Sequence, residues 1–464
     1  MNDPVRFTPS DLIWMLLVVG LAAGTRVGYV TNAGMTDAAF AVQGQGSPRS
    51  LPGENGPSAR TELEELSQNL REERRFACRA PLSDQVETTA HVSPGYPWLV
   101  SLAARIQDDP GPLIRWIQCG LGALTALFYF FFARRAFDST LAGAIAGLLA
   151  AFYPFWIVNT AELADGVLAT FLLAAALALG TRGSQVGGAF TSAAYGLSLA
   201  GLTMVRAALL PFAVVGFAWY LARCRETRSG WFAGLLALLG FANGLAPWAL
   251  RNWQAFSEPL PIVDSAYLHL WMGNNAKANG STLDEATLRE SLSPELLQTL
   301  LAETDQPRRY ARLGPELLEQ VRQDPSAALG HRLDAGACFV LGAHWFSKEH
   351  SLAIHQGDAD AESPHPRLTE SVEPALRGSL LVALLLGGLG WRWSGTWARN
   401  GRLGALAMVW LPLPYLLSHA EDLSGPRLPL DGVLLCYTAF AIACCVPGFA
   451  RRPEQAGKAE STSS

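Results

Sequence analysis

Apolar residues gather along this chain into ten long stretches, set apart by short polar breaks and two long polar segments. The stretches lie at about 11–30, 113–133, 139–157, 164–181, 188–204, 207–222, 231–250, 376–393, 403–418 and 428–447. A helix rises 1.5 Å per residue, so crossing a bilayer takes roughly 20 mostly apolar residues. No soluble fold needs so many runs of that length. The pattern predicts an all-α, polytopic integral membrane protein, a bundle of about ten transmembrane helices. The run at 188–204 carries several Gly and Ser and has the weakest pattern.

The polar segments divide the rest. Residues 1–30 form an N-terminus and first span, and 31–112 a first large loop. Residues 113–251 hold spans two to seven, 252–374 a second large loop, 375–449 spans eight to ten, and 450–464 a polar tail with the composition of a disordered segment. Within the first loop, Leu63, Leu66 and Leu70 share one helical face and Glu62, Glu65 and Asn69 the other, predicting an amphipathic helix suited to the membrane surface. The periodicity of Leu283–Leu301 and Glu316–Leu333 predicts two more. Residues 335–346 are apolar but too short to span, as an interfacial or re-entrant piece would be. Gln43–Ala59, rich in Gly, Pro and Ser, is expected to be a flexible insertion.

Basic residues orient the bundle. With the N-terminus inside, the short inside loops hold Arg6, Arg134 and Arg135, Arg182, Arg223, Arg225 and Arg228, Arg392, Arg399 and Arg402, and finally Arg451 and Arg452. That is the positive-inside bias, and it puts both large loops and their chemistry on the extracytoplasmic face of a plasma (inner) membrane, with both termini cytoplasmic. The first run is too long, and its basic flank too thin, for a cleaved signal, so it is read as a retained anchor. A formal charge of −5 argues against nucleic acid as a partner. Of seven cysteines, only Cys78 and Cys338 fall on the outside; a disulfide between them and two unrelated thiols are both open. The eight histidines show no metal-ligand spacing, and no Gly-rich phosphate loop is present.

Three local motifs stand out. Thr88 to Leu99 contains the rigid turn Pro94-Gly95-Tyr96-Pro97, which launches an apolar helix from Trp98 to Ile106. Pro247-Trp248-Ala249-Leu250-Arg251-Asn252 ends a span and is followed by Leu270 to Gly280, with Asn274 and Asn275. Ser424-Gly425-Pro426-Arg427 leads into the last span. In order and spacing these resemble the bacterial GT-C glycosyltransferases of the dolichyl-phosphate-mannose mannosyltransferase and aminoarabinose transferase superfamily, to which rhizobial lipopolysaccharide galacturonosyltransferases also belong. The resemblance extends from Arg26 to about Phe449 and includes Glu162-Leu163-Ala164-Asp165 and Gly201-Leu202-Thr203 with Arg206.

The resemblance implies a GT-C-like bundle and a transferase that takes sugar from a polyprenyl-phosphate donor to an envelope lipid, glycan or protein acceptor. It implies no metal and no cofactor beyond that donor. Such chemistry needs cations near the departing phosphate and a carboxylate to take the proton of the acceptor hydroxyl. Relatives carry an acid pair in the first loop ahead of a Tyr; here the stretch reads Ser58 to Leu66, without Asp or Tyr, leaving Glu62 as the nearest acid and Asp37 as the alternative. Glu162 and Asp165, three apart at the start of the fourth span, share a helix face and complete the catalytic candidates. Arg206, Arg251 and Arg427, at outer ends of spans, are the candidates for donor phosphate, while Arg26, Arg115 and Arg377 at the same level read as snorkelling to headgroups. His91, Tyr96, Asn274 and Asn275 are candidates for substrate binding. Two other readings compete: a lipid or glycan transporter, which should hold ionisable groups near the midplane, and a catalytically inactive relative that binds carrier lipid.

Overall fold

The computed structural model describes residues 9–33, 59–83, 85–186, 188–225, 230–341, 366–394, 401–420 and 426–447. Asp37, the insertion at 43–58, the motif residues Ser424 and Gly425 and the tail lie outside them. All ten apolar runs are helical. Six are long and apolar enough to cross a membrane on their own: Pro9–Asn32, Pro110–Ala136, Gly166–Ser184, Ala207–Cys224, Gly230–Phe256 and Ala375–Trp393. Four shorter ones are Thr140–Phe152, Ala189–Val205, Arg402–Leu417 and Leu428–Cys444.

In chain order the bundle is built from α1 (Pro9–Ala33), then α2 (Ala59–Glu72), β1 (Ala77–Arg79), β2 (Val86–Thr88) and α3 (Gly95–Ala104) in the first loop. Next come α4 (Pro110–Ala136), α5 (Thr140–Phe152), α6 (Pro154–Asn159), α7 (Gly166–Val186), α8 (Ala189–Val205), α9 (Leu210–Cys224) and α10 (Gly230–Phe256). The second loop holds α11 (Ala266–Met272), α12 (Glu285–Glu290), α13 (Pro294–Ala302), α14 (Gln306–Ala311), α15 (Leu313–Gln323) and α16 (Pro325–Leu341). The last spans are α17 (Pro366–Trp393), α18 (Arg402–Trp410) with α19 (Leu413–Leu417), and α20 (Leu428–Cys444).

Small residues set the helix spacing. A Cβ on Gly196 would strike the backbone of Ala237, and one on Gly240 that of Ala193, so α8 and α10 lie backbone to backbone. The run at 188–204, whose Gly and Ser weakened its pattern, is helical because those residues are the contact. The third run breaks at Tyr153-Pro154: proline cannot donate to the previous turn, and the chain restarts as α6. Aliphatic side chains such as Leu12, Ile13, Leu16, Leu238, Leu239 and Leu385 remain exposed on the outer faces, as lipid contact requires.

The loops differ from expectation in one respect. Leu283–Leu301 and Glu316–Leu333 are not single surface helices; each is cut at a proline, Pro294 and Pro325, which sits at the first turn of the next helix. Their apolar faces turn onto each other. Leu82, Leu268, Trp271, Met272, Leu288, Leu300, Tyr310 and Leu313 make a separate core outside the bundle. The apolar piece from residue 335 continues α16 to Leu341, where Phe339 stacks on Tyr415 of α19 with ring centroids 5.3 Å apart.

Candidate functional site

The juxtamembrane layer is assembled around the turn that the sequence singled out. Gly95 is obligatory there, because a Cβ would lie 2.8 Å from Val205 and 2.9 Å from the Met204 carbonyl oxygen. This close approach lets Ser93 Oγ accept the Ala207 N–H at 3.0 Å, locking the start of α3 to the end of α8. Tyr96 is buried and donates to Gln118 Oε1 at 3.2 Å. Gln118 Nε2 in turn donates to the carbonyls of Thr160 and Glu162 at 2.9 and 2.8 Å, so the α6–α7 turn is tied to α4. Arg115 Nε donates to the Ala161 carbonyl at 3.0 Å. Leu63 of α2 and Leu163 of the α6–α7 turn both pack against the cluster of Tyr96, Val100, Ala103 and Ile114, so α2 and that turn border the same apolar cluster.

Glu62 meets His91 there. His91 Nε2 and Glu62 Oε1 are 2.5 Å apart, with side-chain exposures of 6% and 19%. Burial by itself would lower the pKa of His91, but the Glu62 charge and hydrogen bond, with Asp264 and Glu87 beyond, outweigh it and raise it. His91 Nδ1 lies 2.5 Å from Thr89 Oγ1, and Thr89 Oγ1 lies 2.9 Å from Gln306 Oε1. Asp264 is buried and feels the His91 charge; among the described residues neither of its carboxylate oxygens accepts a hydrogen bond, and burial, helped by Glu87, raises its pKa to about 6.

Cys78 Sγ joins Glu62 and His91, with one donor atom from each within 4.8 Å of the others. That is an N, O, S set of the zinc class. Ligands on one tetrahedral zinc stand ~3.3 Å apart, given bonds of about 2.0–2.2 Å. The 2.5 Å between Nε2 and Oε1 is instead that of a hydrogen bond, so an ion would have to open this pair. Burial, then the charges of Glu62, Glu65 and Glu87, push the Cys78 thiol far above its ordinary value. No disulfide joins Cys78 and Cys338.

The arginine candidates are not gathered at one point. Arg206 grips Asp165 bidentately, at 2.6 and 2.7 Å. Arg427 binds Asp431 at 2.7 Å, Tyr153 binds the other Asp431 oxygen at 2.8 Å, and the Arg427 guanidinium lies over Phe155. Arg251 hydrogen-bonds uncharged oxygens: the carbonyls of Thr89 and Phe76 at 2.8 and 2.9 Å and Asn252 Oδ1 at 2.9 Å. Its guanidinium lies over the Trp248 and Phe76 rings, and its bond to the Thr89 carbonyl anchors the segment after β2 that carries His91. Arg26 is buried and donates to the carbonyls of Ala150 and Ala151, at the end of α5, rather than snorkelling. The absence of hydrocarbon-soluble partners makes these α5 terminal carbonyls its natural acceptors.

Asn274 and Asn275 lie apart from His91 and Tyr96. Asn274 Nδ2 donates to the Leu270 and Leu417 carbonyls at 2.6 and 3.2 Å, and Asn275 Nδ2 to the Trp271 and Met272 carbonyls at 2.9 and 3.2 Å. They close the end of α11. The sequence reading missed Thr89 as anything but a motif letter and missed Glu87, Asp264 and Gln306 outright. Gln306 stands 217 residues from Thr89, and no local pattern links them.

Residues 91–246 match the family model of dolichyl-phosphate-mannose-protein mannosyltransferase. No curated protein matches the chain significantly. The fold is similar to the archaeal oligosaccharyltransferase AglB from Archaeoglobus fulgidus in complex with an inhibitory peptide and a dolichol-phosphate. There the TM-score is 0.50 at 12% identity, over 94% of this chain and 51% of that one. It is also similar to the apo form of the Archaeoglobus fulgidus oligosaccharyltransferase, with a TM-score of 0.50 at 14% identity over 93% and 50%. The chain thus spans about half the length of these structures. Both findings agree with the resemblance read from the motifs.

Proposed function

We propose that this chain, a GT-C superfamily member by fold and by its match over residues 91–246, is a membrane glycosyltransferase working at the extracytoplasmic face. It moves a sugar from a polyprenyl-phosphate carrier to an envelope lipid, glycan or protein. The observation that carries this reading is the contact of Glu62 with His91, on an α2 helix whose Leu63 packs against the same apolar cluster as Leu163 of the turn that holds Glu162 and Asp165. The neighbour that holds a dolichol-phosphate and a peptide supports a lipid-linked donor and a separate acceptor.

In this reading the acceptor hydroxyl oxygen bonds to the anomeric carbon while the carrier phosphate leaves with the C–O electron pair. The released proton goes to Glu62, whose partly exposed carboxylate faces outward from the His91 contact. Asp165 holds Arg206 in a fixed fork, a geometry suited to orienting a phosphate. Arg251 hydrogen-bonds uncharged oxygens and has Asp264 as a charged neighbour, so in this reading its charge is available to the carrier phosphate, and Arg427 stands at the base of the last span. Arg251→Lys keeps charge but loses the planar fork, and should weaken donor binding roughly tenfold to a hundredfold.

The test is purified protein offered a panel of polyprenyl-phosphate sugars with cell-envelope lipid as acceptor. Transfer from one donor that is lost in Glu62→Gln supports the reading; no transfer from any donor, with intact binding of carrier lipid, turns it towards an inactive relative. The orientation is tested with Glu316→Cys, at an exposed site in the second loop. An impermeant thiol reagent should label it on intact spheroplasts. The native Cys78 and Cys224 are buried and unsuited to this purpose.

A further inference from the structure

We propose that Gln306, from the second large loop, is a positioning residue that fixes the tautomer of His91 and so places one proton between His91 and Glu62. The proposal rests on the reading of Glu62 as the base and adds to it the group that sets the proton's position.

The argument is one of hydrogen-bond direction. The Ala90 backbone N–H can only donate, and it lies 2.9 Å from Gln306 Oε1. The Glu87 carboxylate, gripped by Arg309 at 2.6 and 3.1 Å, accepts from Gln306 Nε2 at 3.2 Å. These two partners leave the Gln306 amide only one orientation. Its Oε1 is therefore an acceptor, and the Thr89 hydroxyl, 2.9 Å away, must give it the hydroxyl's single hydrogen. Thr89 Oγ1 then has only lone pairs left. One takes the His91 backbone N–H at 3.2 Å, and the other faces His91 Nδ1 at 2.5 Å. Nδ1 must carry a hydrogen.

With Nδ1 occupied, Nε2 is the one ring position free to change. It faces Glu62 Oε1 at 2.5 Å, and two bare acceptors cannot rest so close. One proton lies between them, and the pair can pass it without rotating the ring. The charged and titratable groups around the pair are Glu62 and Glu65 on α2, Cys78 on β1, Glu87 on β2, Asp264 before α11, Arg309 on α14 and Arg251 on α10. All four links of the relay are buried or nearly so: Gln306 is 1% exposed, Thr89 0% and His91 7%, with Glu62 at the open end. A residue of the second loop thereby sets the proton held by a helix of the first.

The experiment uses the full chain in nanodiscs with ¹⁵N-labelled histidine, His91 being assigned by difference against His91→Asn. Wild type should show a protonated Nδ1 at every pH. In Gln306→Leu the Thr89 hydroxyl is released to donate to Nδ1, and the Nε2–H tautomer should appear. Gln306→Glu keeps the acceptor for Thr89 and should keep the wild-type signal. In the transfer assay Gln306→Leu should lower kcat about tenfold, the scale of one hydrogen bond, with donor KM unchanged. Gln306→Glu should recover part of that loss. Should Gln306→Leu fail to fold, Thr89→Val removes the same link and should again shift the His91 signal.

A bare Nδ1 in wild type would overturn the proposal, as would a wild-type tautomer and kcat in both Gln306→Leu and Thr89→Val. Stoichiometric zinc in the purified protein, lost in Cys78→Ser, would also overturn it, because an ion would then replace the proton. A fixed tautomer in a protein that transfers no sugar would uphold the positioning role and defeat the glycosyl-transfer reading.

Discussion

Two regions of the molecule hold buried charge, and they treat it differently. In the bundle, Asp11 has both oxygens engaged by Arg134 at 2.8 and 2.9 Å, with Thr140 adding a third contact at 3.1 Å. Asp431 is likewise shared between Arg427 and Tyr153. Both aspartates are wholly buried, and each charge is matched where it stands. In the juxtamembrane layer the matching is incomplete. Asp165 is fully paired with Arg206, but Glu62 keeps about a fifth of its side chain exposed, and among the described residues neither oxygen of the buried Asp264 accepts a hydrogen bond. Hydrocarbon forces the first arrangement, since an unmatched charge there has no water to fall back on. An open carboxylate beside water is what proton transfer requires. Under the proposed function, the contrast assigns the chemistry to the juxtamembrane layer and leaves the bundle pairs as its frame.

The sharpest way to break the comparison is Glu62→Gln. It keeps the shape and a hydrogen-bonding oxygen for His91 but removes the basic group. Turnover should fall by about a hundredfold to ten-thousandfold, with donor binding nearly intact. Steady-state kinetics with donor-binding measurements decide it, and normal turnover would take Glu62 out of the mechanism. The bundle offers the mirror experiment. Asp431→Ala strands Arg427 in the interior and should cost about 3–5 kcal/mol, read as a large drop in thermal stability. Pairing Asp431→Leu with Arg427→Met should recover most of that stability and retain transfer; a stable double variant that transfers no sugar would move the pair from the frame to the site.

Asp264 lies on the boundary between the two modes. Its pKa is raised from 3.8 to about 6, by burial foremost and by Glu87, against the opposing pull of His91 and Arg309. The folded protein thus holds this proton to higher pH than the unfolded chain does. The contribution of Asp264 to stability is full below about pH 4 and is lost as pH rises through about 6. Asp264→Asn should therefore stabilise the protein at pH 7–8 by up to about 3 kcal/mol and do nothing at pH 4. Thermal shift across that range checks the sign; destabilisation at pH 8 would mean that the charged form has a use the fold maintains.

Six spans were legible because a bilayer demands length and apolarity, and the other four runs, the Gly- and Ser-rich one at 188–204 among them, were legible as shorter apolar helices. Loop helices were legible in period but not in partner. The leucines of α12, α13 and α15 repeat as surface helices do, yet they pack on Trp271 and Leu268 from a distant segment. Glu62 and His91 each carried a local signal, the polar face of α2 and the Pro94-Gly95 turn. Their contact did not, because it depends on how α2 folds back on the β-hairpin. Gln306 and Asp264 lie in unremarkable stretches, and only the closure of the second loop over the first gives them a role. The arginines show the same limit: position at the outer end of a span was readable, and the choice between a carboxylate and a carbonyl partner was not.

Asn274 and Asn275 give the gentlest test of that limit. Their motif resembles one found in sugar-transferring enzymes, which recommends them as substrate ligands, but their amides are spent on the carbonyls of Leu270, Trp271, Met272 and Leu417. A side chain that ends a helix and ties it to α19 contributes through hydrogen bonds worth about 0.5–1.5 kcal/mol each, net of water. Asn274 loses two such bonds on truncation, one of them long at 3.2 Å, and it lies at the rim of the loop core with 9% exposure. Asn274→Ala should accordingly lower stability by about 1 kcal/mol and leave acceptor KM and kcat unchanged. A rise in acceptor KM at unchanged thermal stability would move this asparagine from the frame to the site. It would also extend the open, working region of the outer layer from α2 across to the end of α11.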